Sequence, residues 1–158
     1  MCEVIVLYDG YSTMIGKDQM NANCSCTLIK GEHNVIVDTM TAWDTLKILA
    51  GEEYKINSSV KVIPTPGHTL SDITVLVTAH DSQTYAITGD LFERYEDTEN
   101  PDIWLEAGSE DPKQQRSNRC KIADIADWII PGHGPKFQVT DQIRLSLRRQ
   151  IEKEKSSQ

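Results

Sequence analysis

The sequence predicts an α/β domain whose sheet is largely antiparallel or mixed. Three observations carry that expectation. Seven short runs rich in β-branched residues are bounded by Gly, Pro, Asn or Asp, and segments with helical periodicity fall between and after them. The chain is 158 residues long, the size of one domain. At that size a fold buries roughly 70% of the surface its unfolded chain exposes.

The elements follow in order. Strands are expected at 3–8 (EVIVLY), 24–30 (CSCTLIK) and 34–38 (NVIVD), the last two joined by a turn at KGEH, 30–33. Cys24 and Cys26 alternate along one strand face, where cysteine acts as a small apolar residue; a C-x-C metal clip has no second cysteine pair to complete it. A helix is expected at 41–49 (TAWDTLKIL). Strands at 60–64, 73–79 and 84–88 come next, the latter two a hairpin through AHDSQ at 79–83. The acidic, Pro- and Gly-punctuated stretch 93–111 reads as a long loop. A helix over 111–126 leads into a strand at 127–130 (DWII). A final helix spans 140–155, where Ile143, Leu147 and Ile151 repeat at i, i+4, i+8 beneath a charged face. The tail EKEKSSQ is expected to fray. The organisation is one domain over 1–138, followed by a C-terminal helix and charged tail at 139–158.

Composition narrows the function. The formal charge of −8 opposes non-specific binding to a phosphate backbone, since counterion release needs clustered Lys and Arg. Bound metal cations can still supply positive charge locally. No run approaches the ~20 apolar residues of a membrane span, so no membrane partner is expected. The first ten residues, MCEVIVLYDG, lack a basic stretch and read as a strand rather than a secretion signal. The four cysteines are therefore expected as free thiols.

Candidate chemistry gathers where strands end. His68 follows the strand at 60–64 in TPGHT, and His133 follows the strand at 127–130 in PGHGP. Both stand in a Pro-Gly-His frame on a loop. The hairpin 73–88 returns the chain to the edge it left, so Asp90 in TGDLF is expected near His68, and the strand at 127–130 brings His133 to the same edge. Two imidazoles and a carboxylate suit Zn²⁺, Mn²⁺ or Fe²⁺. Taken singly, Asp90 is more often a turn or cap aspartate. His33 and His80 are expected as exposed turn residues. Asp38 ends its strand, either as a ligand or as a hydrogen-bond acceptor behind the ligands.

VIVDT, TPGHTLSD, TGDLF and IIPGHGP stand in the order of the first, third, fourth and fifth motifs of the metallo-β-lactamase superfamily, which the chain resembles from about residue 3 to residue 138. The resemblance implies an αββα sandwich and two zinc ions. His68 would ligate one, Asp90 would bridge both, His133 would ligate the other, and Asp38 would be the structural aspartate. VLYDGYS, CSCTLI, TGDLFERYED, SEDPKQQRSNR and PGHGPKF are similar to one branch of the superfamily. That branch implies an endoribonuclease acting on the 3′ end of histone pre-mRNA, hence an RNA substrate, a homodimer, and a cytosolic location with the nucleus as a second. The superfamily's second motif, H-x-H-x-D-H, is absent: the four histidines are at 33, 68, 80 and 133. An in-frame deletion near 49–51, from alternative splicing or an incorrect gene model, accounts for the gap and leaves the fold incomplete in its N-terminal half. The expectations are weak or partial zinc occupancy and an impaired hydrolase. The alternatives are an inactive isoform acting by pairing with full-length chains, and a thioesterase similar to glyoxalase II.

Overall fold

The computed structural model describes residues 2–17, 20–23, 25–31, 35–38 and 52–156. Its strands are β1 (Glu3–Tyr8), β2 (Tyr11–Met14), β3 (Met20–Asn23), β4 (Cys26–Lys30), β5 (Val35–Asp38), β6 (Tyr54–Lys55), β7 (Val60–Pro64), β8 (Ile73–Thr78), β9 (Thr84–Gly89), β10 (Trp128–Pro131) and β11 (Phe137–Gln138). Its helices are α1 (Asp102–Ala107), α2 (Pro112–Ile125) and α3 (Asp141–Ser156), with a 3-10 turn at Tyr95–Thr98. Six strands form one sheet in the order β11-β10-β9-β8-β7-β6, and β1, β4 and β5 form a second in the order β1-β4-β5. The short hairpin β2-β3 stands apart.

The central strands of the large sheet are covered on both faces, which is why they read as unbroken apolar runs. Alternate residues feed opposite cores, as the two-residue period demands. Val75, Val77, Tyr85, Ile87 and Ile130 face the three-stranded sheet and meet Ile29, with Val4, Val6, Val35 and Val37 beside them. Leu76, Ala86 and Ile129 face the other way, onto Ile122 and Ala123 of α2 and Ile143 and Leu147 of α3. A parallel bridge between Cys2 and Ala79 joins the sheets. Across the outer face of the small sheet Ile5, Leu28 and Ile36 stand in register, and Ile36 is 65% exposed.

Several expectations change. The stretch 93–111 is not a loop: it holds the 3-10 turn and α1, because Trp104 is fully buried against the guanidinium groups of Arg116 and Arg119, and Asp97 is fully buried as well. Two aromatics nine positions apart, Tyr95 and Trp104, in an acidic stretch have no periodicity to signal this. Helix α3 runs on into the tail as far as Ser156, and the last two residues of EKEKSSQ lie outside the described residues. Strands β2, β3, β6 and β11 are additions to the sequence pattern; each is only two to four residues long, too short for a period to show. Cys2, Cys26 and Cys120 are free thiols, and His80 is an exposed turn residue. Cys24, His33, the helix expected at 41–49 and the junction at 49–51 lie outside the described residues. No described helix is long and apolar enough to cross a membrane.

Candidate metal centre

Strand direction decides where the polar loops meet. β7 and β9 are both antiparallel to β8, so they run the same way, and β10 is parallel to β9. The loops that leave β7, β9 and β10 therefore open on one edge of the sheet. They carry His68, Asp90 and His133.

Helix α2 and the residues before it fasten two of these loops. Asp111 caps the helix by accepting from the Gln114 amide, with Pro112 in the first turn. The Asp111 amide and the Ser109 hydroxyl donate to the Gly67 carbonyl, the Glu110 amide to the His68 carbonyl, and the Asn118 side chain to the Pro66 carbonyl. Gly67 lies so close to α2 that a Cβ there would collide with the Gln115 backbone. Gln115, fully buried, donates from Nε2 to the Asp90 carbonyl. Arg119 reaches further into the Asp90 loop, donating to the Leu91 carbonyl at 2.8 Å and to Asp97 Oδ1 at 2.6 Å, with its guanidinium over the Phe92 ring. The third loop is held from the small sheet: the Ser25 hydroxyl donates to the Pro131 carbonyl, and the Ser25 amide to the Gly132 carbonyl. Asp38 stands opposite Cys26 in register, beside that serine.

The polar atoms converge closely. His68 Nε2 lies 3.5 Å from Asp90 Oδ2, and His133 Nε2 lies 3.3 Å from Asp90 Oδ1. His68 Nδ1 donates to the Gly108 carbonyl at 2.9 Å. A carbonyl can only accept, so Nδ1 carries a proton; a neutral His68 then turns its Nε2 lone pair toward Asp90, the arrangement a metal-ligating imidazole needs. Gly132 leaves room for the carboxylate, since a Cβ there would overlap Asp90 Oδ1.

A fourth group, one that the sequence motifs do not point to, belongs to the cluster. Glu93 is 3% exposed, and its Oε2 lies 3.8 Å from His133 Nε2. The backbone turns through Leu91 and Phe92, whose amides donate to the Thr88 and Gly89 carbonyls, so residues 90 and 93 share a side. The D-x-x-E spacing is visible in the sequence; its burial is not.

Burial would raise the Asp90 carboxyl, but the His133 contact and the charges of both imidazoles hold it below its ordinary value. Burial, reinforced by the Asp90 charge, pushes the Glu93 carboxyl up to about 7 from 4.5, despite the opposing pull of His133 and His68. The folded chain without metal therefore binds a proton at Glu93 that the unfolded chain releases. The stability this group contributes is complete below pH 4.5 and is lost as pH rises through about 7. Each tenfold difference in proton affinity between the folded and unfolded chain is worth about 1.4 kcal/mol, so the expected loss is about 3 kcal/mol. Urea unfolding of chelator-treated protein from pH 4.5 to 8 checks it, and Glu93→Gln is expected to flatten the slope.

No protein-family model matches the chain. It is 32% identical over 193 aligned positions to metallo-β-lactamase domain-containing protein 1 of Xenopus laevis, covering 86% of this chain and 81% of that protein. The protein of the same name from Homo sapiens is 38% identical over 90 residues, 56% of this chain and 32% of the human one. The crystal structure of a protein assigned as a metallo-β-lactamase from Thermotoga maritima superposes with a TM-score of 0.61, at 14% identity, over 87% of this chain and 99% of that one. In the frog comparison 86% of 158 residues is about 136, set against 193 positions, so about 57 positions of the relative face no residue here.

Proposed function

The chain belongs to the family of metallo-β-lactamase domain-containing protein 1, and from that premise we propose that it is a metal-binding protein of the metal-dependent hydrolase class whose catalytic centre is preserved only in part. The observation that carries the reading is the convergence of His68, Asp90 and His133 from three loops on one sheet edge, with imidazole nitrogens 3.3 and 3.5 Å from separate oxygens of one carboxylate. The donor set fits a divalent ion: ligand atoms ~2.1 Å from a tetrahedral zinc lie ~3.4 Å from one another. A zinc ion bound there would make bound water a nucleophile near neutral pH.

The chain's own residues would hold and orient the ion. His68 presents Nε2 because Gly108 fixes its other nitrogen, and the Asp90 oxygens diverge toward the two imidazoles. No H-x-H-x-D-H motif supplies a further aspartate and histidines to hold the attacking water, because only 30 positions separate Asp38 from His68. Misplacement of a reactant by an ångström costs on the order of 100-fold in rate, and loss of the whole motif costs more. In the complete family we infer phosphodiester cleavage of RNA, at the 3′ end of histone pre-mRNA. In this chain hydrolysis falls to background.

The 57 or so positions of the frog relative without a counterpart here favour a second reading. An isoform with a segment deleted near 49–51 acts by pairing with full-length chains in the cytosol and nucleus. The test is single-stranded RNA cleavage with added zinc, comparing this chain with a version carrying the missing segment. Background turnover from this chain and robust turnover from the restored one are expected. Zinc-dependent cleavage by this chain that disappears in His68→Ala would overturn the impaired reading.

A further inference from the structure

We propose that Glu93 is a metal ligand, and that the chain holds one divalent cation of the zinc class through His68, Asp90 and Glu93, with His133 at its edge, in place of the two ions the superfamily motifs would share. The inference rests on the metal-binding reading above and goes beyond it in naming a ligand and a stoichiometry.

The geometry comes first. One oxygen of Asp90, one oxygen of Glu93 and one imidazole nitrogen of His68 all lie within 4.8 Å of one another. His133 Nε2 closes the cluster, 3.3 Å from Asp90 and 3.8 Å from Glu93. The two imidazole–Asp90 spacings, 3.5 and 3.3 Å, match the ~3.4 Å edge of a tetrahedral zinc site. Two ions would have to divide the same four donors, leaving each with fewer than the three protein ligands a catalytic zinc keeps.

Charge is the second argument. A buried carboxylate is normally paired with a cation or bound to a metal. Arg119, the fully buried guanidinium near this loop, is committed to Asp97 and to the Leu91 carbonyl. Among the described residues the ion-pair partner of Glu93 is His133, an imidazole that must be neutral to act as a ligand. One divalent cation neutralises the Asp90 and Glu93 carboxylates together. Imidazole nitrogen and carboxylate oxygen donors suit zinc, manganese or iron more than a soft ion.

The experiment is titration of the metal-free full chain with Co²⁺, followed by visible absorption and calorimetry, and repeated with Zn²⁺ in competition. One equivalent is expected to bind. Glu93→Gln, and Glu93→Asp, which keeps the charge but withdraws the carboxylate, are each expected to weaken binding at least tenfold, as His68→Ala does. Near-UV circular dichroism of the metal-free variants reads folding separately. Wild-type affinity in both Glu93 variants overturns the Glu93 assignment while leaving a metal centre in place. Two tightly held ions per chain overturn the single-ion stoichiometry. No cobalt uptake by the wild-type chain overturns the metal-binding reading itself.

Discussion

Asp97→Ala is expected to lower the unfolding free energy by about 3–5 kcal/mol, the usual consequence of removing one partner from a buried ion pair. Asp97 and Arg119 are both fully buried. One Asp97 oxygen accepts from Arg119 at 2.6 Å, while the other accepts the Glu93 amide at 2.7 Å. Truncation leaves the guanidinium without its counter-ion, stacked on Phe92 and Trp104, and frees an amide beside the candidate metal site. At ~2–4 °C per kcal/mol for a domain of this size, the melting temperature should drop by roughly 6–20 °C. Asp97→Asn keeps an acceptor for the amide and should fall in between. The clamp also ties the loop of Asp90 and Glu93 to α2, so metal affinity should fall with stability. An Asp97→Ala chain that unfolds within about 1 kcal/mol of wild type would show that this pair does not hold the loop.

The second expected result concerns two glycines that fail in different ways. In Gly67→Ala the new methyl meets the Gln115 backbone, which cannot rotate aside. The Pro-Gly-His loop or α2 must then shift, at a cost of about 3 kcal/mol, the upper end of the usual overpacking range. In Gly132→Ala the methyl meets the Asp90 carboxylate, a side chain that can swing away. Stability should then change little, by about 1 kcal/mol, while metal affinity falls by about 100-fold because the carboxylate has left its place between the imidazoles. Denaturant unfolding and cobalt titration of the two variants separate these effects. Equal metal affinity in Gly132→Ala and wild type would mean that Asp90 is not held where the structure places it.

The candidate site is legible in the sequence to an uneven degree. His68 and His133 announce themselves through repeated Pro-Gly-His loops after strands, and Asp90 through hairpin geometry, because these depend on neighbours within a few positions. Glu93 sits at a readable spacing from Asp90, yet its acidic neighbours Glu96, Asp97 and Glu99 make it look like one more charge in a solvated stretch. Arg119 and Gln115 lie four residues apart on α2, a spacing that puts both on one helix face. Polar residues on a helix ordinarily mark the solvent side, and nothing local reverses that reading.

By itself the sequence determined strands β1, β4, β5 and β7 to β10, the extents of α2 and α3 to within a residue or two, and the loops that carry His68, Asp90 and His133. Each of these follows from short-range physics: the two-residue period of a pleated strand, the backbone restrictions of proline and glycine, and the stripe of an amphipathic helix. The tertiary structure decided which polar residues go inside. Asp97, Arg119, Gln115 and Glu93 are buried because distant segments supply their partners, Asp97 and Arg119 meeting across 22 positions and Gln115 and Asp90 across 25. A charge enters a core only where a partner offsets its desolvation, and that partner is set by the topology that folds β9, α2 and β10 onto one edge, not by the residues beside it in the chain.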